Sequence, residues 1–255
     1  SFIMEQTVTR QKEPFFTKDK SFYKTLFKML IVVALQNLVA YSVNMADNIM
    51  LGSYSQNALS GAATVNQIFF MVQQFALSIG NALVVLASQY WGQHRVEPIR
   101  TLTGIALKLG LIIGIILVLV CIIIPVPLLR LFTNEPEIIE QGRQYLAMIQ
   151  WTFLLFIISQ ILVSALRSVG IVNISFYISI VSLIVNVGIN YVLIFGKFGL
   201  PEMGIRGAAV GTLVARILEL IIVLIYMLKA DKTVRFFASG FLKSDAGLRK
   251  DYTKV

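Results

Sequence analysis

Six apolar runs, each long enough to cross a bilayer, constrain this chain more than any other feature. They fall at roughly 26–51, 58–88, 99–124, 144–168, 172–195 and 204–229. A crossing helix needs about 20 mostly apolar residues, because in lipid every backbone polar group must be bonded within the segment. Composition agrees: 57% of the 255 residues are hydrophobic and 14% are charged, whereas soluble domains carry about 25% charged residues. The expected fold is all-α, a polytopic membrane protein with six transmembrane helices. Residues 1–25 read as a cytoplasmic leading segment, 26–230 as the six-helix lobe and 231–255 as a basic amphipathic cytoplasmic linker. The first run is no signal peptide, since its apolar part exceeds the h-region length of about 7–15 residues.

The net charge is +9, and its placement decides what it means. With the N-terminus inside, the inner segments collect Lys18, Lys20, Lys24, Lys28, Arg95, Arg100, Lys108, Arg167 and the cations of the tail. The outer segments hold only Arg130, Arg143, Lys197 and Arg206. That asymmetry predicts both termini in the cytoplasm. The basic surplus therefore reads as topology and contact with anionic membrane lipid, not nucleic-acid binding. The lone cysteine, Cys121, lies in the third run and reads as apolar packing, with no disulfide framework. His94 is the one histidine, in an inner loop where a solvated or capping role suits it. No zinc spacing and no glycine-rich phosphate loop is present, so the chain reads as no enzyme. Thr133 or Asn134 is the expected cap of the helix that follows the third run.

Polar residues inside the runs carry the functional reading. In the first run Gln36, Val43 and Asp47 share one helical face, with Asn37, Asn44 and Asn48 on the adjoining stripe. Gln67, Gln74, Ser78, Asn81 and Ser88 line a stripe in the second run, and Ser175, Ser179, Ser182, Asn186 and Asn190 one in the fifth. Ordinary interhelical hydrogen bonds, at about 0.6–2 kcal/mol each, would produce such seams one at a time. Three seams together with a carboxylate point to a polar cavity. Asp47 is the strongest single residue, because a charged Asp at mid-bilayer costs about 2.5–3.5 kcal/mol even on insertion scales. A proton or a bound cation relieves it, and so does a position near the hydrated outer surface. Arg216 and Glu219, three residues apart in the sixth run, are expected to pair as structural ions. Gly207 and Gly211 form a GxxxG that reads as close helix packing. Trp91, Trp151, Tyr90 and Tyr145 read as interfacial or packing aromatics.

The stretches "MADNIMLGSYSQNALSGAATVNQI", "GNALVVLASQYWGQ", "ALRSVGIVN" and "SLIVNVGINYVLIFGKFGLPEMGIRGAAVGTLVAR" occur in an order that is itself informative. Together they resemble the N-terminal lobe of multidrug and toxic-compound extrusion (MATE) transporters. The resemblance implies one lobe of a twelve-helix exporter, with a second six-helix lobe or a partner chain completing it. It implies a secondary active antiporter in the cell membrane, moving organic cations or other amphipathic compounds by alternating access. Na+ or H+ would be the coupling ion, with no other cofactor. Residue by residue, Asp47 matches the coupling aspartate of the first helix; Asn186 and Asn190 match cation-binding positions of the fifth; Thr212 matches a threonine of the sixth that joins them. A Na+ ion held by Asp47, Asn186 and Asn190 follows from the same likeness. Asn190 stands where some members carry Asp, which disfavours a two-carboxylate proton site. Gln36, Gln67, Gln74 and Asn81 are the candidates for the substrate cavity. The alternatives are a related flippase of lipid-linked precursors and a membrane scaffold without transport.

Overall fold

The computed structural model describes residues 16–230. The readings placed on 1–15 and on the basic tail 231–255 lie outside the described residues. The described chain is built of helices: α1 Lys20–Tyr54, α2 Gln56–Gly92, α3 Glu97–Ile123, the short α4 Pro125–Arg130, α5 Pro136–Ser168, α6 Asn173–Phe195 and α7 Ile205–Ile225. A π turn, Tyr226–Ala230, closes the last of them. Among the described residues six helices are long and apolar enough to cross a membrane, one for each apolar run. The protein is an integral membrane protein of all-α fold.

Most helix ends have local causes. Asp19 caps α1 by accepting a hydrogen bond from Ser21 N at 2.9 Å. The helix thereby starts at Lys20, inside the leading segment that the apolar pattern alone marks as 1–25. Ser55 both ends α1 and caps α2, where its hydroxyl accepts from Ala58 N at 3.3 Å. Pro125 stands at the first position of α4 and cannot donate into the end of α3. The cap expected at Thr133 or Asn134 sits instead at Glu135. Pro136 takes the first helical position, which suits its missing N–H, and moves the cap one residue on. The α6–α7 connection turns at Gly196, in the left-handed region at φ 68°. A Cβ there would lie 2.9 Å from Glu202 N, so the turn needs glycine for shape and for space.

α5 is the central post. It packs most extensively on α2 and also on α7 and α3. Phe153, Leu146, Ile157, Ile161, Leu162 and Leu166 on it are fully buried. Small residues on the neighbours let the backbones approach, as expected where lipid supplies no hydrophobic drive. A Cβ on Gly80 of α2 would collide with the Ser164 hydroxyl, and one on Gly110 of α3 with Ile157 and Ile161. The GxxxG of α7 does the same for α6. A Cβ on Gly207 would lie 2.7 Å from the Leu193 carbonyl carbon. Cys121 is buried in this apolar interior as a free thiol. α1 is the exception: it leans mainly on α6, and Leu51 is its one buried residue.

Candidate functional site

The site forms where α1 meets α6 and α7, near the C-terminal end of α1. Leu51, 1% exposed, anchors that end of the helix, one turn beyond Asp47. Tyr54 adds an edge contact with Phe195 at 6.4 Å between ring centroids, and its ring lies against Gly204. These contacts hold Asp47 against α6. There Asn190 Nδ2 donates a hydrogen bond to Asp47 Oδ1. The carboxylate is thus joined to another helix, as ionisable groups within membrane-crossing helices usually are.

Asn190 is 0% exposed and Asn186, one turn before it, is 4% exposed. The side-chain oxygens of both, Asn186 Oδ1 and Asn190 Oδ1, are buried without a hydrogen-bond donor. Buried acceptors left in that state are uncommon, and each costs about 1–3 kcal/mol. The Asn190 amide fits only because Gly211 of α7 faces it; a Cβ at Gly211 would overlap Asn190 Oδ1. The second glycine of the GxxxG therefore shapes the site as well as the packing.

A cavity of about 60 Å³ opens beside the carboxylate. Asn44, Asp47, Asn48, Asn66, Asn186, Thr152, Thr212, Tyr145 and Arg216 supply its polar wall; Val43, Leu51, Ala62, Phe69, Ile149 and Ala208 supply the rest. A water takes about 30 Å³ in the liquid, whereas pockets for drug-sized ligands run to about 300–1,000 Å³. The space suits an ion with a few waters and is too small for an organic drug. Thr212 lines the cavity and donates to the Ala208 carbonyl at 3.1 Å, which leaves its hydroxyl oxygen able to accept. The Tyr145 phenol is buried and lines the same cavity as Thr212. Arg216 closes the far wall. Its Nη1 donates to Glu219 Oε1 at 3.2 Å and Oε2 at 2.9 Å. Its guanidinium lies over Phe156 at 4.9 Å and over Phe69 at 5.9 Å.

Of the residues expected from the sequence, Asp47, Asn186, Asn190 and Thr212 come together here. Asn190 turns its amide N–H toward Asp47, while its oxygen points at α7. The four expected to line a substrate cavity do not join this site. Gln67, Gln74 and Asn81 are exposed on the side of α2 that no helix of the lobe covers, and Gln36 is half-buried on α1. Gln36 precedes Asp47 by about 16 Å along the helix axis at 1.5 Å per residue. The pair Arg216–Glu219 is formed as expected, but Arg216 also faces the cavity. Tyr145, Thr152 and Asn66 are cavity residues that the sequence did not single out as such. Tyr145 sits in an apolar helix, and nothing in its spacing tells a buried phenol from an interfacial one. Asn66 adjoins Gln67 in sequence and is exposed as Gln67 is, so the cavity reaches the edge of the uncovered face of α2 while Gln67 itself stays out of its lining.

The MatE family model matches residues 33–192, well over half of the chain. The chain belongs to the MatE family. Relatives of this MatE chain include a probable multidrug resistance protein NorM of Thermotoga maritima, 31% identical over 76% of this chain and 42% of that protein. The probable multidrug resistance protein YoeA of Bacillus subtilis is 25% identical over 93% of this chain and 52% of its own length. The fold is similar to a solved outward-facing conformation of a multidrug resistance MATE family transporter of the MOP superfamily. That likeness has a TM-score of 0.82 and 17% identity, over 91% of this chain and 51% of the other. The chain spans about half the length of the curated relatives it matches. The MatE match includes Asp47, Asn186 and Asn190 and ends before Thr212 and Arg216, so the α7 side of the cavity rests on the geometry.

Proposed function

We propose that this lobe belongs to a secondary active exporter that moves an amphipathic or cationic small molecule out of the cell against an inward cation gradient. The observation that carries the proposal is the cavity at Asp47, an ionisable group at membrane depth set beside two buried amide oxygens without donors. Such a group marks an ion pathway by default. The multidrug resistance names of the relatives support the choice of substrate class. The small volume of the cavity supports a division of labour. The ion binds inside the lobe, and the organic substrate binds outside it, against the uncovered face that bears Gln67, Gln74 and Asn81. A second six-helix lobe, or a partner chain, would complete that substrate path; relatives about twice as long support this reading.

Na+ is the favoured coupling ion. It is a hard cation that takes oxygen ligands, and Asp47, the Asn186 amide oxygen and the Thr212 hydroxyl offer three. Asn190 would join them by rotating its amide, exchanging the hydrogen bond to Asp47 for a metal contact. A proton on Asp47 is the competing reading. Cation binding shifts the conformational equilibrium only by its differential affinity for the two states, and the link from α1 to α6 is where that difference would arise. Na+ binding calorimetry and pH-resolved drug export in proteoliposomes test the assignment. Asp47→Asn should insert and fold yet lose coupled export; a variant that exports at the wild-type rate removes Asp47 from coupling. Asn190→Asp sets two carboxylates side by side, which then require a second cation or a proton. It should raise Na+ affinity or change the pH profile of transport. No change in either would mean that the α6 amides do not serve the ion.

The topology belongs to the same proposal, with both termini in the cytoplasm. Six crossings return the described chain to the side on which it began, and Arg95, Arg100, Arg167 and Lys229 gather on that side. Cysteine-accessibility labelling at Ser55 and Ser244 checks it. Ser55 should label from outside and Ser244 should not; the reverse pattern inverts the protein.

A further inference from the structure

The Arg216–Glu219 pair is not a remote structural ion pair, because only half of it faces away from the ion cavity. Arg216 lines the cavity together with Asp47, and Glu219 does not. Glu219 engages Nη1 of the guanidinium through both of its oxygens. The guanidinium plane rests on Phe156 and Phe69, and Phe69 is itself a cavity residue. Arg216 and Asp47 line one cavity of about 60 Å³, small enough to keep the two charges within electrostatic range. A permanently charged guanidinium thus shares a cavity with one carboxylate and is hydrogen-bonded to another that does not line it. It rests on an aromatic shelf that stabilises the cation without fixing it to either partner.

We propose that Arg216 is an affinity-setting residue of the ion site, a resident cation that Glu219 holds away from Asp47. This rests on the reading of Asp47 as the coupling residue. With Glu219 present, the two α7 charges cancel. One negative charge, that of Asp47, is left for one monovalent cation. Without Glu219, the carboxylate that shares a cavity with Arg216 is Asp47, and the arginine then occupies the place of the transported ion. Glu219 therefore controls ion binding without touching the ion. Arg216 is a positioning residue in the same sense, acting through the charge of Asp47.

The test is Na+ binding by calorimetry on the purified protein in detergent, with choline replacing Na+ at constant ionic strength and thermal unfolding recorded for each variant. Glu219→Gln should weaken Na+ binding by about tenfold or more, the scale of one added unit charge in a site of intermediate dielectric. Arg216→Gln should tighten it. The double variant Arg216→Gln with Glu219→Gln should return to within about threefold of wild type, the coupling that a double-mutant cycle isolates. A merely structural pair gives no such rescue. A double variant as weak as Glu219→Gln, or a Glu219→Gln protein that binds like wild type, overturns the proposal. If Glu219→Gln does not fold, the Arg216→Gln arm decides alone, and weakened binding there overturns it. Wild type that binds no Na+ overturns it together with the ion assignment. Asp47→Asn that still binds Na+ refutes the coupling site itself, whatever the α7 variants do.

Discussion

No residue in the most apolar stretch of α1 is buried, whereas 61% of those in the corresponding stretch of α5 are. Both helices exceed thirty residues and both have strong crossing character. α5 is the post on which α2, α3 and α7 pack, and its interior is apolar apart from Gln150, Thr152 and a few serines. α1 carries the carboxylate and packs mainly along one neighbour, α6, with Leu51 as its one buried residue. The comparison teaches that chemistry here sits on the least constrained element. A helix with few attachments can respond to a bound ion, because a small free energy at one attachment is a large share of the total. A helix packed on three sides cannot respond without breaking the core.

The largest effect should come from the post. Phe153→Ala should cost about 3–5 kcal/mol, the range for buried aromatic truncations, read as a fall in thermal unfolding temperature in detergent. A loss comparable to that of an exposed substitution would mean that α5 is not the core. Next is Asp47→Asn, which should reduce Na+ binding about a hundredfold, or about 2.7 kcal/mol, and lower the unfolding temperature little. Severe unfolding of this variant would erase the contrast by making α1 a structural helix. Asn190→Ala should follow at about tenfold in ion affinity, or about 1.4 kcal/mol, because it removes one neutral oxygen ligand and keeps the carboxylate, with export slowed rather than abolished. The smallest effect belongs to the exposed face of α1. Ile49→Ala, at a residue 62% exposed, should change stability by less than about 0.5 kcal/mol. A large change there would reveal a partner surface on α1 that the lobe itself does not supply.

The fold was legible because each crossing declares itself. A run such as 99–124 is apolar for longer than any soluble element requires. Pro125 and the polar stretch 52–57 punctuate the runs, and the break between α1 and α2 falls at Ser55 within that stretch. Asp47 was legible for the same reason, since a carboxylate inside such a run needs an explanation. The helix-packing role of Gly207 and Gly211 was legible from their spacing. The role of Gly211 in admitting the Asn190 amide was not, because it depends on which α6 residue lies opposite. Gln67, Gln74 and Asn81 show the converse limit. Their stripe was correctly seen as one face of α2, but spacing alone does not say whether a polar face looks into the lobe or away from it.

By itself, then, the sequence determined the class, the six crossings, the uneven distribution of Lys and Arg between alternate connections, and the presence of one costly carboxylate. All of these follow from local hydropathy and from the requirement that a backbone in lipid bond to itself. Only the tertiary structure decided which polar groups meet. The Asn190 amide donates to Asp47, two amide oxygens lie without donors, and Arg216 lines the same cavity as Asp47 while it pairs with Glu219. Such convergence depends on the rotation of each helix about its own axis. That rotation is settled by the packing of distant residues, above all the glycines of α2, α3 and α7 against α5 and α6, and no short stretch of chain encodes it.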